Sequence, residues 1–154
     1  MVAKTSAGIL LYRGEGESLE VLLVHPGGPF WSKKDEGAWS IPKGELEDGE
    51  EPRLCALREL EEEIGSSLGL TLERLADLGE VRLKSGKQVR GWAAEGDFDP
   101  ATLRSNTFAM EWPPRSGKEH EFPEVDRAEW FSPERARLKI NPAQAAFLDR
   151  LLAR

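Results

Sequence analysis

Residues 51–64, near the middle of the chain, carry the pattern that most constrains its fold. Pro52 suits the first turn of a helix and Gly65 suits its C-terminal end, so this stretch is predicted to be helical. The apolar side chains on one side of this helix are predicted to pack against a core, and they are Leu54, Leu57, Leu60 and Ile64. A helix with one buried side needs a second layer to pack on.

The same helix and the turn before it are strongly acidic. Residues 44–65 contain nine carboxylates and only two arginines. Glu59, Glu62 and Glu63 are spaced i, i+3 and i+4, so they share one face of the helix. Like charges at these spacings repel by roughly 0.2–0.5 kcal/mol per pair, and a hard divalent cation such as Mg²⁺ would reverse that cost. The alternative is a solvated acidic face that binds nothing.

The rest of the chain alternates between strand-like and turn-like segments. Strands are predicted for residues 5–12, 19–25, 38–41, 75–83, 88–95, 107–112 and 128–131. Helices are predicted to begin after Ser132 and after Asn141. Loops are predicted for residues 26–37, 97–106 and 112–125. We therefore predict an α/β fold in which helices cover a mixed sheet.

Length and charge limit the possible partners. The 154 residues predict a single domain, residues 1–154. Twenty-one basic and 28 acidic residues give a net charge of −7, which argues against a general nucleic-acid-binding surface. No apolar run is long enough to span a bilayer, and the N-terminus lacks a signal-peptide pattern, so a cytoplasmic location is expected. The single cysteine, Cys55, excludes an internal disulfide and is expected to pack in the core.

The spacing of residues within the acidic segment is specific. It reads Gly44, five residues, Glu50, seven residues, and then Arg58-Glu59-Leu60-Glu61-Glu62-Glu63-Ile64-Gly65. This resembles the Nudix box, G-x5-E-x7-R-E-U-x-E-E-x-G-U, where U is aliphatic. Every fixed position matches, and only the last aliphatic position differs, because it is Ser66 here. The predicted elements around the segment also follow the order found in that family.

The resemblance implies a Nudix fold, an α/β/α sandwich with a mixed sheet. It also implies hydrolysis of a diphosphate linkage in a nucleoside diphosphate derivative, dependent on Mg²⁺ or Mn²⁺. Glu59, Glu62 and Glu63 then correspond to the metal-binding carboxylates, and the backbone carbonyl of Gly44, or of its neighbour Lys43, completes the site. Glu59 is the first candidate for the general base and Glu62 the second. Glu50 and Arg58 correspond to the pair that holds the loop against the helix.

Many family members use another carboxylate from a distant loop. In similar proteins this acid often lies six residues before an aromatic at a strand end, and here that spacing selects Glu124. Glu121 and Glu119 are the next candidates. The alternative is an acidic loop that only contacts solvent.

The segment before the box bears on the substrate. Residues 39–44 resemble the W-x-x-P-K-G entry of Nudix hydrolases that act on diadenosine polyphosphates, and of some diphosphoinositol-polyphosphate and decapping enzymes. Residues 26–37 resemble a bacterial group of predicted NTP pyrophosphohydrolases. Lys43 is predicted to meet a phosphate oxygen, with Lys33, Lys34 and Arg115 as further phosphate contacts. The tyrosine usual downstream of the box in the diadenosine group is missing, since the only tyrosine is Tyr12. The proline typical of many ADP-ribose hydrolases is also missing.

Several aromatic residues and one histidine remain open. Phe30 and Trp31 either stack on a nucleobase or pin their loop to the body of the protein. His25 either borders the pocket or is an ordinary residue at a strand end. The tryptophans in predicted strands are expected to be core residues, and they are Trp39, Trp92, Trp112 and Trp130.

These observations predict a divalent-metal-dependent hydrolase of a nucleoside polyphosphate or dinucleoside polyphosphate, with a small diphosphate compound as substrate. The alternatives are a catalytically weak Nudix module that binds nucleotides, and an enzyme for another diphosphate such as inositol pyrophosphate or ADP-ribose. An RNA-end pyrophosphohydrolase is disfavoured, because the net charge of −7 would repel an RNA chain. The sequence does not indicate an oligomeric state.

Overall fold

A six-stranded mixed sheet forms the centre of the protein. The structure is a computed structural model that describes residues 4–154. The strands are β1 (Thr5–Arg13), β2 (Glu20–Pro26), β3 (Lys43–Glu45), β4 (Ala76–Arg82), β5 (Gln88–Glu95), β6 (Thr107–Glu111), β7 (Glu119–Pro123) and β8 (Val125–Phe131). In the main sheet the order is β4-β5-β1-β2-β8, and β3 also pairs with β1. β1 and β5 run parallel, and the other pairs in this sheet are antiparallel.

Helices cover both faces of the main sheet. They are α1 (Pro52–Ile64), α2 (Pro133–Lys139) and α3 (Ala145–Leu152). The apolar side chains of α1 pack in one core cluster with Ile9, Leu11 and Trp92, whereas α2 and α3 belong to a second cluster with Leu10 and Phe131. Because alternate residues of a strand point to opposite faces, neighbours such as Ile9 and Leu10 serve different cores. This arrangement is the predicted α/β/α sandwich.

The α1 helix begins and ends where the sequence predicts. The side chain of Glu51 accepts a hydrogen bond from the backbone N–H of Leu54, and Gly65 ends the helix with φ of 76°, a conformation that favours glycine. The prediction that Leu54 packs in the core is wrong, because half of its surface is exposed. At 3.6 residues per turn, Cys55 and Ile64 mark the two edges of the side of α1 that faces the sheet. Glu59 and Glu63 fall between these edges, so they are on the same side of the helix as the core residues.

Three further predictions need correction. Residues 38–41 do not form a strand. They make only isolated bridges, in which Ser40 pairs with Val24 and Trp39 pairs with Ile140, and the strand in this part of the chain is β3. Part of the predicted 112–125 loop is β7, which pairs with β6 in a separate two-stranded antiparallel sheet. A 3-10 turn, Pro142–Gln144, precedes α3.

Within residues 4–154, no helix is long and apolar enough to cross a membrane.

Candidate active site

The site is built where β3 and α1 pack together. An ideal Cβ placed on Gly44 would lie 2.0 Å from the Cδ atom of Glu59, so no other residue fits at position 44 unless that carboxylate moves. Gly44 itself is held in the sheet by pairing with Ala7 of β1. The carboxylate of Glu59 therefore lies directly against the backbone of Gly44.

Arg58 joins three carboxylates at this end of α1. Its Nε and Nη2 atoms donate to the two oxygens of Glu50 at 2.9 Å each. Its Nη1 atom donates to Glu59 Oε1 at 2.9 Å and to Glu62 Oε1 at 3.2 Å. The bidentate bond from Arg58, with a backbone N–H from Glu47, lowers the pKa of Glu50 to about 2. Glu50 and Arg58 thus tie the turn before α1 to the helix itself.

Glu63 lies deeper than the other carboxylates of the helix. Its Oε1 accepts from the backbone N–H of Lys43 at 3.3 Å. Burial raises the pKa of Glu63 to about 8, against the opposing attraction of the Lys43 ammonium, and the charges of Glu59 and Glu124 add to the rise. Burial likewise raises the pKa of Glu59, with Arg58 opposing and Glu62 and Glu124 adding to it. Four carboxylates therefore act on one another within the site.

A small cavity opens beside Glu63. Its volume is about 120 Å³, and Lys43, Glu63 and Glu124 supply its charged lining, together with Ser40 and apolar groups of β2 and β8. Burial lowers the pKa of Lys43, with Lys87 adding to this and nearby glutamates, Glu63 first, opposing it. One lysine and two glutamates thus face a space much smaller than the 300–1,000 Å³ typical of pockets that enclose a whole ligand.

The donor set fits a hard divalent cation. Glu59, Glu62, Glu63 and Glu124 offer carboxylate oxygens, and these are the ligands that Mg²⁺ and Mn²⁺ prefer. The carboxylate of Glu59 also lies against the backbone of Gly44. In the side-chain positions seen here, no three carboxylate, histidine or cysteine side chains among residues 4–154 lie together so that they could hold a metal ion. Instead, the Arg58 guanidinium supplies the positive charge between Glu59 and Glu62.

The remaining predicted residues divide into two groups. Of the three candidate loop acids, Glu124 lines the cavity, whereas Glu119 and Glu121 lie on the exposed strand β7. Lys33, Lys34 and Arg115 are exposed on the neighbouring loops and are not part of the cavity lining. Their predicted contact with phosphate stays a prediction.

Cys55 is not a nucleophile. It is fully buried, and burial raises the pKa of its thiol to about 12, so the thiol stays protonated at neutral pH. Its Sγ atom lies 3.6 Å from the Gly44 carbonyl oxygen. Cys55 therefore packs under the segment that forms the site, as the sequence predicts.

One supporting residue, Gln144, gave no signal in the sequence, and for another, Trp112, the sequence predicts the wrong place. Gln144 is buried and reaches from the C-terminal region to the 39–44 segment, where its Oε1 accepts from the backbone N–H of Ile41 at 3.0 Å and its Nε2 donates to Ser40 Oγ at 3.0 Å. Trp112 lies just after β6, is partly exposed, and meets the ring of Phe30 edge to face at 5.4 Å. The expectation that Trp112 belongs to the core is therefore wrong, whereas Trp39, Trp92 and Trp130 are buried as predicted.

Comparison with known proteins agrees with this geometry. The family model of the NUDIX domain matches residues 2–151, almost the whole chain. The chain belongs to the Nudix family. The predicted family and fold are thereby confirmed.

Three relatives illustrate how this Nudix chain compares with known members. It is 30% identical to the RNA pyrophosphohydrolase of Rhodospirillum rubrum over 128 residues, which are 70% of this chain and 75% of that protein. It is 33% identical to the 8-oxo-(d)GTP phosphatase of Mycolicibacterium smegmatis over 107 residues, 62% of this chain. The chain spans less than a third of the length of each of the first two curated relatives that it matches. For the M. smegmatis protein, which is one of these two, the share is 31%.

A similar solved structure is the Caenorhabditis elegans Ap4A hydrolase in a binary complex. It superposes with a TM-score of 0.66 at 21% sequence identity, over 96% of both chains. At this identity the likeness describes the fold. The family and the relatives named as phosphatases and pyrophosphohydrolases support the predicted enzyme class, a hydrolase of acid anhydrides.

Proposed function

We propose that this Nudix protein is a divalent-metal-dependent hydrolase that cleaves a diphosphate linkage in a nucleoside polyphosphate or a dinucleoside polyphosphate. The observation that carries the proposal is the position of Lys43, Glu63 and Glu124 around one small cavity beside the Gly44–Glu59 contact. Lys43 attracts a phosphate group, and the carboxylates offer the oxygens that hold Mg²⁺ or Mn²⁺. A bound cation supplies charge neutralisation of the diphosphate and lowers the pKa of a bound water.

The proposal assigns separate catalytic roles to the carboxylates of α1 and to the arginine that holds them. Glu59, with a raised pKa and a position against Gly44, is the candidate that accepts the proton of the attacking water, and Glu62 is the second candidate. Arg58 orients both carboxylates through its Nη1 atom, because the same guanidinium is fixed by two bonds to Glu50. The catalytic carboxylates therefore remain in a fixed relation to the turn before the helix.

The size of the cavity favours a long phosphate chain. At about 120 Å³ the cavity has room for a phosphate group and not for a nucleoside. The nucleoside must then lie outside it, towards the 27–37 loop and the β6–β7 hairpin. Lys33 and Lys34 offer charge to outer phosphates, and the exposed Phe30, packed on Trp112, offers a face for a nucleobase.

The proposal is tested by comparing substrates that differ in phosphate number. We expect kcat/KM to rank diadenosine tetraphosphate and ATP above ADP-ribose, and Lys43→Ala to lower it about tenfold or more for the two longer substrates, with a smaller loss for ADP-ribose. Lys84→Ala, an exposed lysine in the turn between β4 and β5, is the matched control and should leave all three values unchanged. A wild-type preference for ADP-ribose, or an equal loss on all three substrates, would contradict the proposed substrate class.

A second candidate activity is RNA pyrophosphohydrolase. The observation that favours it is the 30% identity to the R. rubrum protein of that name over 75% of its length. The net charge of −7 opposes it, because an RNA chain is attracted by basic surfaces. Release of pyrophosphate from a triphosphorylated oligonucleotide at a rate equal to that from ATP would favour this candidate over the first.

A further inference from the structure

His25 is a buried histidine that the catalytic roles above do not use. It lies near the end of β2, its side chain is fully buried, and the edge of its ring meets the Trp39 ring at 5.2 Å. Its two ring nitrogens both face oxygen atoms. Nδ1 lies 2.8 Å from Asp126 Oδ1, and Nε2 lies 2.6 Å from the backbone carbonyl oxygen of Lys34.

The geometry defines what the ring donates. A carbonyl oxygen only accepts, so Nε2 carries a proton and donates it to Lys34. Nδ1 faces a carboxylate oxygen of Asp126, so each ring nitrogen is bonded to a different segment. Histidine is suited to this position because its flat ring carries two nitrogen atoms that point away from each other. A buried ring with both nitrogens bonded is also fixed in orientation.

The two partners of His25 belong to different parts of the site. Asp126 lies on β8, two residues after Glu124, which lines the cavity. Lys34 lies on the 27–37 loop, which carries the predicted phosphate contacts Lys33 and Lys34. One buried ring therefore links the strand that positions Glu124 to the loop that flanks the cavity.

The loop is anchored at both ends and exposed between them. At its start the backbone N–H of Gly27 donates to the Glu124 carbonyl at 2.9 Å. At its end, besides the His25 bond, the Trp39 Nε1 donates to Asp35 Oδ1 at 2.8 Å. The Gly37 N–H also donates to the Leu138 carbonyl at 3.1 Å, and Asp35 pairs with Lys139. Residues 30–36 are exposed, with the Phe30 ring packed on Trp112, so it is the bond from His25 that fixes the Lys34 carbonyl.

We infer that His25 is a positioning residue which, together with Asp126, fixes the 27–37 loop against the Glu124 segment so that the loop meets the outer phosphates of a bound polyphosphate. The inference rests on the proposed function for its effect on substrate, but not for its effect on the loop. His25 touches no reacting atom in this account. Its contribution is to substrate binding, because it determines where Lys33 and Lys34 lie relative to the cavity.

The first test measures the loop without any substrate. In His25→Gln the side chain keeps a single donor nitrogen and cannot reach both oxygens in the same way, so the loop should open more often. Trypsin cleavage after Lys33 and Lys34, followed by mass spectrometry, should become about tenfold faster, as expected for the loss of one hydrogen bond. His120→Gln changes the other histidine of the chain, which is exposed on β7, and should leave cleavage unchanged.

The second test separates positioning from general structural damage. The KM of His25→Gln for diadenosine tetraphosphate should rise about fivefold while kcat stays within about twofold, and the KM for ADP-ribose should change little. Asp126→Ala should behave like His25→Gln, and Asp126→Asn, which keeps an oxygen for Nδ1–H, should restore most of the lost affinity. The Asp126 side chain is 30% exposed, so substitutions there disturb the core less than a substitution of His25. The Asp126 variants therefore provide the test if the His25 variant does not fold.

The outcomes distinguish this inference from the proposed function. Cleavage after Lys33 and Lys34 at the wild-type rate in both His25→Gln and Asp126→Ala would overturn the inference. Faster cleavage with an unchanged KM for the tetraphosphate would show that the loop does not contact substrate, and would overturn it as well. If wild-type protein hydrolyses none of the three substrates, the proposed function fails, and the cleavage experiment still decides whether His25 fixes the loop.

Discussion

Removal of the charge on Glu50 should destabilise the protein, and the loss should depend on pH in a defined way. Arg58 donates two hydrogen bonds of 2.9 Å to this carboxylate, and together with the backbone N–H of Glu47 it lowers the pKa of Glu50 from 4.5 to about 2. A carboxyl whose pKa is lower in the folded state stabilises that state above its unfolded pKa. The stabilisation is therefore complete at pH 7 and is lost as the pH falls from 4.5 towards 2.

The magnitude follows from the size of the shift. A difference of about 2.5 pKa units corresponds to an upper limit of about 3 kcal/mol. The Arg58 side chain is 28% exposed, so water screens part of the interaction, and we expect Glu50→Gln to lower the free energy of unfolding by about 1–2 kcal/mol at pH 7. With a urea dependence of about 2 kcal/mol per molar, the midpoint of unfolding should fall by about 0.5–1 M.

Urea unfolding of wild type and variant at pH 7 and pH 3 checks this prediction. By pH 3 less than half of the stabilisation remains in the wild type, so the two midpoints should approach each other. Glu47→Gln is the matched control, since its side chain is 73% exposed and lies 4.0 Å from Arg58. An unchanged midpoint for Glu50→Gln at pH 7, or a difference that is as large at pH 3, would refute the reasoning.

Three further predictions concern the metal site and its support. Excess EDTA should abolish hydrolysis and added Mg²⁺ or Mn²⁺ should restore it, whereas turnover that persists in EDTA would contradict a metal mechanism. Glu62→Gln and Glu63→Gln should each lower kcat about a hundredfold or more. Without metal, Glu63→Gln should keep or slightly raise the melting temperature, because burial disfavours the charge of Glu63, and Glu62→Gln should change it little, because its ion pair with Arg58 is partly exposed; unfolding of either variant would assign it a structural role. Gln144→Ala should lower the free energy of unfolding by about 1–3 kcal/mol, measured in urea, because the buried N–H of Ile41 loses its acceptor; an unchanged midpoint would contradict that account.

Much of the fold was predictable because local patterns and tertiary packing agree. Apolar strand-like segments predicted β1, β2 and β5, and terminal residues predicted where α1 begins and ends. The structure places all four elements close to their predicted bounds. The strand β7 could not be predicted, since its side chains are mostly polar and exposed. Its pairing with β6 comes from backbone hydrogen bonds that composition does not reveal.

The predicted site residues were accessible to sequence reasoning because they occur at fixed spacings in one segment. Gln144 and Asp126 were not, because their partners Ile41 and His25 are more than 100 residues away in the chain. The burial of His25 could not be predicted either, since a histidine at a strand end is exposed as often as it is buried. Long-range hydrogen bonds of this kind depend on the assembled fold.

The β6–β7 hairpin has a consequence for how this protein can diversify. It forms its own two-stranded sheet, and it is closed at its base by a hydrogen bond of 2.8 Å from the Glu124 N–H to the Asn106 carbonyl. Insertions or deletions at its tip can therefore change its length without shifting the register of the central sheet or the position of Glu124. Homologues could exchange this one hairpin to gain or lose contacts with the outer part of a bound molecule, while the carboxylates of α1 stay where they are.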